Sequence, residues 1–121
     1  MIRKNIQEEA PFTAGDDTLI REVLHPVNDG LGLNYSLAYA TLEPGKASRP
    51  HVLRSSSEVY IIRKGRGRAF VGEEVAEAGP GEVVFIPAGA RQYIENVGQE
   101  PLEFWCIVSP PWNGEDELLV D

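Results

Sequence analysis

The chain has 121 residues, of which 42% are hydrophobic and 25% charged, and it carries a net charge of −8. That length fits one domain with a core of its own, and the acidic balance argues against nucleic acid, which requires a basic footprint. The single cysteine, Cys106, excludes an intrachain disulfide and a cysteine-only metal centre, and it agrees with a reducing, cytoplasmic setting. The longest apolar stretch, residues 102–108, is too short to span a bilayer and contains Glu103. The opening residues lack the apolar segment of a signal peptide, so no membrane partner is expected.

Glycine and proline, 12 and 9 residues, punctuate the chain at short intervals, and between them lie runs rich in Val, Ile, Tyr and Phe. This pattern predicts many short strands and hence an all-β sandwich or barrel. The first strand is predicted over 18–24, closed by His25-Pro26, and a loop follows over 28–34 with Asp29-Gly30 as its turn. A strand over 35–42 stops at Glu43-Pro44-Gly45. His51 follows a loop, and the clearest strand runs over 58–64 into Gly65. Further strands are predicted over 68–71, 74–78, 82–86, 91–96 and 102–109, each bounded by glycine or proline. The acidic stretches near either end, Gln7-Glu8-Glu9 and Glu115-Asp116-Glu117, hold a helical turn or none.

Side chains alternate across a strand, so residues two apart share a face. Glu58, Tyr60 and Ile62 therefore point one way, and so do Gln92, Ile94 and Asn96. In the last strand Leu102, Phe104, Cys106 and Val108 form an unbroken apolar row, the expected interior. Trp105 and Ile107 fall on the opposite face, where an aromatic surface predicts an inter-sheet or subunit contact. The alternation thus turns a carboxylate, a phenol and a thiol inward, with His51 just upstream.

The spacing around these residues is specific. One segment reads Gly45, five residues, His51, one residue, Leu53, four residues, Glu58, six residues, Gly65. A second reads Gly81, five residues, Pro87, one residue, Gly89, two residues, Gln92, three residues, Asn96. These resemble the two signature motifs of the cupin superfamily, over roughly residues 35–110. The resemblance implies a double-stranded β-helix, the cupin or jelly-roll barrel. It implies a single domain over 1–121 with its core at about 35–110, an N-terminal strand segment at 18–25 and an acidic tail at 112–121. Small cupins similar to this chain pair through sheet edges, so a homodimer is expected.

In typical cupins two histidines and a carboxylate from the first motif and one histidine from the second hold a metal ion. Here His51 and Glu58 match, Leu53 replaces the second histidine, and Gln92 stands at the last. The resemblance thus implies a reduced ligand set of His51, Glu58 and Gln92 for a divalent ion, zinc, manganese, iron or nickel. Tyr60 and Cys106 would face a small-molecule ligand. The implied function is a metal-dependent small-molecule enzyme, dioxygenase-like or sugar-isomerase-like. The alternative is a non-catalytic module for a sugar or other small metabolite, its metal site lost. The residues leave open whether the chain is an enzyme, and they single out no catalytic side chain.

Overall fold

The apolar runs become strands at nearly the expected places. The computed structural model, which describes residues 1–120, contains β1 (Phe12–Thr13), β2 (Leu19–Leu24), β3 (Ser36–Leu42), β4 (His51–Leu53), β5 (Ser57–Lys64) and β6 (Gly67–Val71). These are followed by β7 (Glu74–Ala78), β8 (Val83–Ile86), β9 (Arg91–Asn96), β10 (Leu102–Ser109) and β11 (Glu117–Leu119). A 3-10 turn at Ile6–Glu8 and one helical turn, α1 (Pro26–Asp29), complete the elements. The strands form a six-stranded sheet, β1-β2-β3-β10-β5-β8, and a five-stranded sheet, β11-β4-β9-β6-β7. The strand pairs are antiparallel. Among the described residues no helix is long and apolar enough to cross a membrane.

The alternation read from the sequence sets which faces meet. In β10 the buried residues are Leu102, Phe104, Cys106 and Val108; in β5 they are Glu58, Tyr60 and Ile62. Register places Cys106 opposite Tyr60 on one side and Ala38 on the other. Phe104, Ile62, Ile86, Ile94 and Leu102 are fully buried between the sheets, each stabilising by about 1.5–3 kcal/mol through removal of apolar surface from water. Phe104 also packs its ring at 4.8 Å from that of Tyr60.

Three differences from the expected elements matter for the site. His51, expected after a loop and outside any predicted strand, begins β4, which pairs with β9 on one side and with β11 on the other. The closing segment, read as an acidic tail over 112–121, carries β11 in its described part. The first residues of the expected 28–34 loop belong to α1, where the His25 ring accepts from Val27 N–H, Pro26 starts the turn and Gly30 ends it in left-handed backbone. Short elements of this kind escape local reading because their pairing partners are distant in sequence.

Gly65 closes the β5–β6 turn at φ +81°, and a Cβ there would meet the Pro101 carbonyl at 2.7 Å. Both the backbone region and the space require glycine. Gly65→Ala should lower stability by about 2 kcal/mol or more, read from urea unfolding midpoints. An unchanged midpoint would contradict this account of the turn.

Candidate functional site

The cavity between the sheets encloses about 200 Å3 and has a floor and a mouth of different character. The floor is built by β5, β9 and β10. Tyr60 Oη–H donates to Gln92 Oε1 at 2.8 Å, and the Glu58 carboxyl is hydrogen-bonded to Gln92 and to Cys106. Burial first, then the charges of Asp16 and Glu117, push the Glu58 carboxyl up to about 8, against the opposing effect of its hydrogen bonds. Burial, followed by the nearness of Glu58, also raises the Tyr60 phenol and the Cys106 thiol. At neutral pH the floor is therefore an uncharged network whose groups mostly satisfy one another. The thiol in it is a poor nucleophile, because the reactive form is the thiolate.

The mouth gathers side chains from three separate segments. His51, 2% exposed, sits on β4. Its Nδ1–H donates to the Arg49 carbonyl at 2.8 Å, so in the neutral ring the Nε2 lone pair is left for another partner. Asp16 lies in the turn between β1 and β2. Its Oδ1 accepts from Thr18 N–H at 3.1 Å, and its carbonyl accepts from Arg49 N–H at 2.7 Å. Asp16 Oδ2 is 3.9 Å from His51 Nε2, too long for a hydrogen bond.

Glu117 completes the group. Register pairs it with Leu53 across β11 and β4, and directly opposed residues share a face. The neighbouring strand thus brings a carboxylate beside the position where Leu53 offers no donor. Burial raises the Glu117 carboxyl, His51 lowers it and Asp16 raises it again. The donor atoms of Asp16, His51 and Glu117 all lie within 4.8 Å of one another.

The family model for the cupin domain matches residues 38–108. The chain belongs to the cupin family. Along its full length this cupin is 33% identical to the uncharacterized protein MJ1618 of Methanocaldococcus jannaschii, covering 96% of that relative. It is 27% identical over 88 residues to the mannose-1-phosphate guanylyltransferase ManC of Salmonella typhimurium, covering 73% of this chain but 18% of that enzyme. Its fold superposes on a predicted oxalate decarboxylase from Thermotoga maritima with a TM-score of 0.79 at 21% identity, covering 89% of this chain and 98% of the other.

Of the residues singled out by the motifs and by strand alternation, His51, Glu58, Tyr60 and Cys106 line the cavity of this cupin, together with Leu53. Gln92 lies behind it, its amide engaged by Tyr60 and Glu58. The donors that a divalent ion needs are better met at the mouth. One imidazole nitrogen and two carboxylates suit zinc, manganese or iron, and three protein ligands leave room for water or substrate. Ligand atoms about 2.0–2.2 Å from an ion stand about 3–4 Å apart, so the 3.9 Å pair already has that separation. Asp16 and Glu117 lie outside the matched motifs, where only the Gly15-Asp16 turn and the apolar run after Glu117 hint at structure.

Glu58 ties stability to pH. The folded chain keeps its proton up to about pH 8, whereas an ordinary carboxyl releases it at 4.5. The contribution is complete below pH 4.5 and is lost as pH rises toward about 8. In metal-free buffer, stability should fall across this window by up to about 1.4 kcal/mol per pH unit, and Glu58→Gln should flatten the fall. Urea midpoints from pH 5 to 8 check this; equal slopes for the two proteins would contradict it.

Proposed function

We propose that this cupin binds a small molecule in its barrel cavity with the help of a divalent cation held at the mouth by Asp16, His51 and Glu117. The observation that carries the reading is the convergence of these donors, from segments distant in sequence, on one rim of the cavity. Such an ion would act as a Lewis acid toward an oxygen of the bound molecule. The protein's own part is to hold that molecule between the mouth and the floor, where Tyr60 and Cys106 define the far wall. A metal-dependent reaction of the dioxygenase or sugar-isomerase kind is the enzymatic form of this reading. The fold hosts too many chemistries to choose between them.

The second reading is a binding module that works without an ion. It is favoured by the floor, where Glu58, Tyr60, Gln92 and Cys106 are hydrogen-bonded among themselves. After chelation, the wild-type chain should take up one manganese or zinc ion, and the melting temperature should rise with ion concentration. His51→Ala should abolish uptake, while Asp16→Asn and Glu117→Gln should each weaken it by about tenfold or more. Elemental analysis and calorimetry decide. A chain that retains no ion, yet is stabilised by a small molecule alone, leaves the second reading standing.

We also infer that the outer face of the six-stranded sheet joins two copies of this chain. Val59 and Ile61 of β5 lie between Phe85 and Val83 of the edge strand β8 and Ile107 and Trp105 of β10. Val83 and Phe85 are each 61% exposed. An apolar edge strand invites pairing unless something covers it, and a second copy covers it by two-fold symmetry. Sedimentation should show a dimer at micromolar concentration and a monomer for Phe85→Glu. A monomeric wild type would overturn the inference.

A further inference from the structure

We propose that the molecule this cavity takes has an apolar body and a single oxygen-donor head, as in a short branched or aromatic carboxylate, and is neither a sugar nor a sugar phosphate. The inference rests on the cation reading above for where the head sits, and on the cavity itself for the rest.

The walls are mostly apolar, the hydroxyls of Thr13, Thr18 and Ser36 apart. Ile20 comes from β2, Ala38 and Ala40 from β3, Ile94 from β9, and Phe104 and Val108 from β10. A sugar presents hydroxyls in every direction, and each one buried without a partner opposes binding. The floor has little to offer them. Tyr60 donates to Gln92, and Gln92 and Cys106 are hydrogen-bonded to Glu58; the Ser36 hydroxyl, which accepts from Trp112 N–H at 2.9 Å, keeps one O–H to donate, fewer partners than the hydroxyls of a sugar need.

Charge excludes the phosphate. Among the described residues lining the cavity, four are acidic, Asp16, Glu22, Glu58 and Glu117, and none is lysine or arginine. Phosphate recognition relies on arginine, lysine or clustered backbone N–H groups. A dianion entering here would meet carboxylates. A divalent ion at the mouth offsets Asp16 and Glu117 and leaves an open position for one weakly charged oxygen donor. The remaining volume, part of about 200 Å3, then receives the apolar body by removing its surface from water.

The test uses the manganese-loaded full chain, with thermal shift as the readout and calorimetry to confirm that the ion is bound. Isovalerate and benzoate, each at millimolar concentration, should raise the melting temperature saturably, and mannose and mannose 1-phosphate should leave it unchanged. Ala38→Phe, which fills the cavity from its wall, should abolish the benzoate shift while manganese binding persists. A shift with mannose or mannose 1-phosphate overturns the inference. So does the absence of a carboxylate shift on a chain shown to hold manganese. If manganese does not bind, the cation reading fails by itself, and the same cavity is then tested without an ion. Benzyl alcohol in chelator should still raise the melting temperature where mannose does not, and its failure overturns the inference as well.

Discussion

The pairing of β10 between β3 and β5 is the constraint on which the rest of this cupin depends. Its inner row, Leu102, Phe104, Cys106 and Val108, is apolar without a break, and a slip of one residue would turn the whole row outward. Holding that register puts Cys106 between Ala38 and Tyr60, and Val108 opposite Glu58. The wall of the cavity and part of its floor follow from one strand's hydrophobic pattern. The outer row of the same strand, with the half-buried Trp105 set edge-on to the buried Tyr39 at 4.8 Å, is the centre of the sheet's outer face.

The two ends of the cavity show opposite answers to the burial of polar groups. At the floor the protein neutralises: Glu58 keeps its proton, and its neighbours turn their hydrogen bonds toward one another. At the mouth, Asp16 and Glu117 remain close together beside His51, and the Asp16 charge adds to the burial that raises the Glu117 carboxyl. Like charges brought this close in a half-buried site oppose each other unless a cation joins them. That contrast links the electrostatics of the cavity to the reading of its function, because the two ends ask for different parts of one ligand.

The mouth also ties the ends of the described chain to the barrel. β11 lies along β4, Asp116 accepts from Ser55 and Ser56 N–H, and the Asp16 turn accepts from Arg49 N–H. These contacts position two donors that the motif segments lack. A cupin that has Leu53 where a ligand would stand can thus assemble a donor set from strands laid beside the motif rather than from the motif itself.

The sequence alone determined the barrel, its longer strands and the inner rows, because turn residues and two-residue alternation are local signals, but not the short strands β1, β4 and β11. It also marked His51, Glu58, Tyr60 and Cys106 as neighbours, since motif spacing and strand direction bring them to one cavity. It did not reveal Asp16 or Glu117. Their relation to His51 depends on a turn 35 residues upstream and on a strand paired across more than 60 residues, and no local pattern encodes either approach. Tertiary structure likewise decided that the Gln92 amide lies between Tyr60 and Glu58. Which donors remain for a ligand is set by what packs around each group, and that is a property of the folded barrel.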